Sequence, residues 1–211
     1  MIVTCGESLV DLIPERNGDD VLYRPVLGGS HYTVALGIAR LGGASGYLWE
    51  LSRDELGRRF LASLEGAGVD CSMVRRGERP TPVAVVDDSG PEARYNIADP
   101  GRVMHDTELP PLSATARCLS IGSAVLAQEP VGSRIEALAR TAPLITIDYN
   151  ARPPSITDAA AYRARLRRLA ALSGVVKASV TDIEVIGEGD GEAYMRELIE
   201  AGTSMAILTA A

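Results

Sequence analysis

The chain has 211 residues, of which 46% are hydrophobic and 23% charged, enough to bury one sizeable core with a small appendage as a single globular domain. Its net charge of −7, with no basic block outside a helical run at Arg163, Arg165, Arg167 and Arg168, excludes nucleic acid as the main partner, and those arginines read as a solvated helix face. No apolar run approaches the roughly 18 to 20 residues that cross a bilayer, and the start Met1-Ile2-Val3-Thr4-Cys5-Gly6 has no basic segment, so neither a span nor a signal peptide is expected and the expected location is the cytoplasm.

Taken in chain order, apolar runs with β character alternate with helix-period segments. The first strand is predicted at Ile2 to Cys5, followed by a helix from His31 to Leu41, a strand from Tyr47 to Leu51, a helix from Asp54 to Ala67 and a strand from Cys71 to Val74. In the second helix Leu56, Phe60, Leu61 and Leu64 recur at three- and four-residue spacing, which buries one face. Further on come a strand at Cys118 to Ile121, a helix near Pro130 to Arg140, a strand at Leu144 to Ile147 and a helix at Ala159 to Leu172. The series ends with a strand at Val175 to Ala178, a short helix after Thr181, a helix at Gly191 to Ala201 and a strand at Ala206 to Thr209. This alternation predicts an α/β fold with a mostly parallel sheet covered by helices on both faces.

Two stretches break the rhythm. Val21 to Leu27, and the pair Thr81 to Val86 and Ala93 to Ile97 around Asp87-Asp88-Ser89-Gly90-Pro91, read as antiparallel strands forming a small flap. Cys5, Cys71 and Cys118 are far apart in apolar surroundings and read as reduced thiols. With His31 and His105 the only histidines, neither a metal site nor a serine-histidine triad is supplied.

Gly28-Gly29 runs directly into the apolar-periodic segment Ser30 to Gly42, a place where backbone can approach a ligand and unpaired helix amides face outward. With Gly6-Glu7-Ser8-Leu9-Val10-Asp11-Leu12 and Leu51-Ser52-Arg53-Asp54-Glu55-Leu56-Gly57, these runs resemble the amino-terminal part of the ribokinase-like (PfkB) carbohydrate kinases, in the fructokinase and 2-keto-3-deoxygluconate kinase branch. The resemblance implies a Rossmann-like core with a β-lid at about 12–27 and 80–99, used in the family for dimer contacts. The activity it implies is ATP-dependent phosphorylation of a hydroxyl on a ketose or keto-sugar acid, with ATP and Mg2+ as cofactors and a small sugar as partner.

By that resemblance Asp11 contacts sugar hydroxyls, Gly28 and Gly29 lie beside the sugar, and Arg94 and Tyr95 reach down from the lid. Without it, Asp11 reads as a turn aspartate and the glycines as a turn before a helix capped by Ser30. Thr33 stands where the family usually places a sugar-binding asparagine, keeping a hydroxyl without the amide's paired donor and acceptor. Trp49 and Glu50 replace small and basic residues; Trp49 reads as filling a core gap, with obstruction of the pocket as the alternative.

Asp148-Tyr149-Asn150-Ala151-Arg152 follows a predicted strand, where a ligand crevice forms in open α/β sheets, and its resemblance to the family assigns Arg152 to the sugar or the transferring phosphate. Asn150, Lys177 and Asp182 are placed by the same resemblance at the phosphate and magnesium end; Ser179 and Asp182 alone read as a helix-capping pair. Gly187-Glu188-Gly189-Asp190-Gly191 superficially matches the family's catalytic-base segment, but comes too soon after Asp182 and reads as a turn before a helix. No catalytic residue is therefore assigned, and the chain is expected to be a truncated kinase domain without turnover. The alternative is a non-catalytic sugar-binding or assembly module. The apolar final strand is expected to seek a partner at its edge, so association through the sheet stands beside dimerisation through the lid.

Overall fold

The computed structural model describes residues 1–18, 20–90, 94–97 and 108–210. In chain order its elements are β1 (Ile2–Cys5), β2 (Leu9–Asn17), β3 (Asp20–Gly28), α1 (Ser30–Arg40), β4 (Ser45–Leu48), β5 (Glu50–Ser52), α2 (Glu55–Gly66), β6 (Arg75–Gly77), β7 (Val83–Asp87) and β8 (Arg94–Ile97). They continue with β9 (Cys118–Gly122), α3 (Val131–Ala139), β10 (Ile145–Asp148), α4 (Ala159–Ala170), β11 (Val175–Ser179), α5 (Val180–Ile186), α6 (Gly191–Glu200) and β12 (Met205–Thr209).

The main sheet has the order β12-β11-β10-β9-β1-β4, and every pairing in it is parallel. This is the expected α/β core. Val3, Thr4 and Cys5 of β1 are all fully buried, as a strand covered on both faces requires. From β1 the chain crosses through α1 to β4 on one side, whereas β9, on the other side, leads through α3 to β10. Right-handed crossovers in opposite directions put α1 and α3 on opposite faces and leave a crevice at the carboxyl ends of β1 and β9.

Polar side chains fasten α1 to the sheet. Thr4 Oγ1 donates to the His31 carbonyl at 3.0 Å and Ser45 Oγ to the Ala35 carbonyl at 2.8 Å. On its outer side Tyr32 meets Phe60 of α2 edge to face, with ring centroids 4.7 Å apart, and its hydroxyl bonds Ser63 Oγ at 2.8 Å. Asp54 caps α2 through Gly57 N and also holds Thr81 N and Thr81 Oγ1, each at 2.7 Å, tying the helix start to the chain entering β7.

Several expected features are corrected. The flap is a mixed sheet, β3-β2-β7-β8: its outer pairings are antiparallel, but β2 and β7 run parallel because a long crossover containing α1 and α2 separates them. It also begins earlier than expected, at Leu9, so Asp11 lies within it. Of the predicted strand Ala93 to Ile97, Ala93 lies outside the described residues. Tyr47 to Leu51 is not one strand; the chain leaves the main sheet at Trp49, and β5 pairs instead with β6. Cys71 to Val74 is a turn, because Asp70 Oδ1 takes the Ser72 amide at 2.8 Å and folds the backbone back.

The arginine run of α4 is not uniformly solvated. Arg165 is buried, donating to the Leu126 carbonyl at 2.7 Å and pairing with Glu129, while Arg167 and Arg168 stay exposed and pair with Glu188 and Glu136. Trp49 is buried in the core. No cysteine is in a disulfide, and among the described residues no helix is long and apolar enough to cross a membrane. Replacing the fully buried Phe60 by alanine removes the support of Tyr32, and urea unfolding is expected to show a loss of about 3–5 kcal/mol.

Candidate functional site

A cleft of about 460 Å3 lies where the switch-point crevice meets the underside of the flap. The core contributes Glu7, after β1; Ser123, after β9; and Asp148, Asn150 and Arg152, at the end of β10. The flap contributes Asp11 from β2, Gly28 from β3 and Tyr95 from β8, and the first turn of α1 closes one wall with Gly29 and Thr33.

The wall depends on close backbone approach. Gly29 has φ +106°, and a Cβ there would lie 2.4 Å from the Glu7 carbonyl oxygen and 2.8 Å from Ser8 Cα. Gly28 has no such backbone conflict; its Cβ would meet the Asp11 carboxylate, 2.1 Å from Oδ2. Gly29 is also the N-cap of α1, with no side chain bonded to the first turn, so Ser30 is the first helical residue rather than the expected cap. The amide end of α1 thus opens uncapped onto the cleft, where it favours oxygen ligands and negative charge.

The cleft is rich in carboxylates, Glu7 buried and Asp11 and Asp148 half-buried. Burial pushes Glu7 upward, with the Ser123 hydrogen bond and Arg152 working against it. Burial likewise raises Asp11, against Arg152, and Asp148, against Lys177 and Arg152. Arg152 therefore serves as a shared counter-charge. Its guanidinium also stands 5.6 Å from the centre of the Tyr95 ring, linking the core to the flap by a cation–π contact.

Asp11, Gly28, Gly29, Thr33, Tyr95, Asn150 and Arg152 are thus brought to one cleft from distant points of the sequence. Arg94 opens β8, but its side chain lies outside the described residues. Lys177 and Asp182 do not line the cleft. Lys177 Nζ pairs with Asp148 Oδ1 at 3.1 Å and so acts on it at one remove. Asp182 is buried, its Oδ1 accepting from Ala151 N at 2.6 Å and its Oδ2 from Ser179 N at 2.8 Å, which completes a capping box on α5 and pins the loop carrying Arg152. Asp190 caps α6 through Glu192 N and Ala193 N, in keeping with a turn in the Gly187 to Gly191 run.

Glu7 and Ser123 were not singled out from the sequence as site residues, and Asp148 stood there only as the first residue of the run to Arg152. The available signal was positional: each stands at or just beyond the carboxyl end of a central parallel strand. Next to them His31 is buried in the first turn of α1, with Nδ1 unpartnered against Gly6.

A model of the pfkB family carbohydrate kinases matches residues 1–211. Among curated proteins, a fructokinase of Rhizobium leguminosarum bv. trifolii is 30% identical over 99% of this chain and 67% of its own length. A fructokinase of Salmonella typhimurium is 30% identical over 90% of this chain and 63% of its own length. The chain thus spans about two thirds, or slightly less, of these relatives. Among solved structures, the Vibrio cholerae O395 fructokinase bound to fructose, ADP and calcium superposes with a TM-score of 0.83 at 23% identity, over 99% of this chain and 70% of that one.

The glycine pair yields a contrast in stability. Gly29→Ala puts a side chain at positive φ against backbone and is expected to cost more than about 2 kcal/mol, whereas Gly28→Ala displaces only the Asp11 side chain and is expected to cost less than about 1 kcal/mol in the same urea titration. Burial lowers His31 from 6.5 to about 4, so the unfolded chain takes up a proton first and stability falls as pH drops from 6.5 toward 4. Glu7, raised by burial, acts in the opposite direction. The His31→Gln variant isolates the histidine: its thermal stability is expected to vary less between pH 7 and about pH 5 than that of the parent.

Proposed function

Because the chain belongs to the pfkB family of carbohydrate kinases, we propose that it forms the sugar-binding part of an ATP-dependent kinase acting on a hydroxyl of a ketose or keto-sugar acid, with fructose as the first candidate. The observation that carries this reading is the convergence of Asp11, Gly28-Gly29, the uncapped start of α1 and the Asn150-Arg152 loop on one cleft beneath a β-lid.

In this reading Asp11 accepts from sugar hydroxyls through Oδ1, which is buried without a partner and gains one when the ligand binds. The glycine pair lets a sugar approach the backbone, and Thr33 offers a hydroxyl from the first turn of α1. With a sugar in the cleft, Tyr95 and Ile97 of the lid would shield it from water.

The donor set also fits the cofactors the family uses. When bound, ATP would supply the phosphoryl group and Mg2+ would neutralise its charge. Arg152 and Asn150 would face phosphate oxygens, aided by the positive end of α1, while Asp148 supplies a carboxylate toward the ion. Among the described residues no cluster of His, Cys, Asp or Glu could hold a metal by itself, so a nucleotide-borne ion is the form that suits this site.

A second reading, a sugar-binding or assembly module, is favoured by Asp182, whose carboxylate oxygens are both engaged by backbone amides. Thermal unfolding with fructose, with 2-keto-3-deoxygluconate and with MgATP separates the readings. Fructose is expected to raise the melting temperature of the 211-residue chain, and Asp11→Asn to weaken that response by about tenfold or more in affinity. A further rise with MgATP supports the kinase reading, a sugar response alone supports the module, and no response to either sugar overturns both. ADP release in a coupled assay is expected to be undetectable for this chain, since no base for the attacking hydroxyl is assigned within it.

A further inference from the structure

Glu7 is buried at the switch point and has no part in the reading above. Its Oε1 accepts from Ser123 Oγ at 2.6 Å, and Ser123 Oγ accepts from Asn150 Nδ2 at 3.1 Å. The chain Asn150 to Ser123 to Glu7 therefore bridges the carboxyl ends of β10, β9 and β1.

Its direction follows from a count of protons. A serine hydroxyl has a single proton, and donating it to the carboxylate leaves only lone pairs toward Asn150. That side of Asn150 must then be the NH2 group, which settles the amide's orientation and leaves Oδ1 and the second N–H for other partners. Both linked residues hold unusual backbone: Ser123 has φ +67° and Asn150 φ +38°. Such conformations persist in non-glycine residues where surrounding bonds over-determine them, and they concentrate at ligand sites.

We propose that Glu7 is a positioning residue that acts through Ser123 to hold the Asn150 amide in one orientation at the cleft. Glu7 itself touches no ligand in this account. A ligand arriving at Asn150 meets a group already aligned, so the cost of ordering that side chain is met during folding. The orientation of Asn150 stands on the hydrogen-bond chain alone, whereas its effect on affinity rests on the cleft being the sugar site.

The test combines two readouts on Glu7→Ala, Glu7→Gln and Ser123→Gly. Ser123→Gly removes the hydroxyl while relieving the positive φ, so it keeps the test open should Glu7→Ala not fold. The first readout is the side-chain NH2 pair of Asn150 in nitrogen-15 NMR, assigned by its loss in Asn150→Ala. One of its protons is expected to be shifted and slow to exchange in the parent, to become averaged in Glu7→Ala and Ser123→Gly, and to be retained in Glu7→Gln, which keeps an oxygen to accept from Ser123. The second is fructose affinity by calorimetry, expected to fall about tenfold in Glu7→Ala and Ser123→Gly and to recover in Glu7→Gln. In an Asn150→Ala background, Glu7→Ala is expected to have no further effect. An Asn150 signal unchanged in Ser123→Gly and Glu7→Ala overturns the proposal, as does an equal loss of affinity with and without Asn150. If the parent binds no fructose, the sugar reading fails while the NMR readout still decides the proposal.

Discussion

The site depends on one close approach of backbone to backbone. Where the chain leaves the lid and enters α1, Gly29 presses against Glu7 and Ser8 at a distance that leaves no room for a Cβ. That contact sets the helix start beside the end of β1, and several other features follow from it. The amides of α1 face the cleft, Gly28 sits against Asp11, and His31 packs over Gly6. A bulkier residue at Gly29 would move the helix end and the lid root together, because Tyr32, Thr4 and Ser45 hold α1 to α2 and the sheet.

A second constraint is electrostatic. Glu7, Asp11 and Asp148 are all raised by burial and all feel Arg152. A single guanidinium shared among these groups makes its placement more consequential than that of a surface arginine, since charges taken out of water interact strongly and are costly to leave unpaired. The structure supports Arg152 from behind: Asp182 grips the Ala151 amide, and Tyr95 lies under the guanidinium from the lid side. Asp182 thus contributes to the cleft through backbone, although its own carboxylate does not line it.

Much of this was legible in advance for particular physical reasons. Phe60 and Leu64 repeat at helical spacing, and the Ser179-Asp182 capping pair acts locally, so these elements appeared where expected. Asp11, the glycines and the Asn150-Arg152 loop carried a recognisable pattern, and the fold brought them together. Boundaries that depend on partners were less legible. The break at Trp49 arises because β5 finds β6, and the parallel pairing of β2 with β7 depends on strands separated by more than sixty residues of sequence. Arg165 looked like its exposed neighbours because its acceptors, the Leu126 carbonyl and Glu129, lie in another segment.

The sequence by itself determined the alternation of strands and helices, the family and the residues that carry its pattern, because periodicity, capping and short motifs are written within a few residues of one another. Tertiary structure alone decided that Glu7 and Ser123 belong beside Asn150, that Asp182 also takes the Ala151 amide and that Lys177 acts through Asp148. These are relations between the ends of separate parallel strands, and no local pattern encodes them. They arise from the order in which the strands assemble.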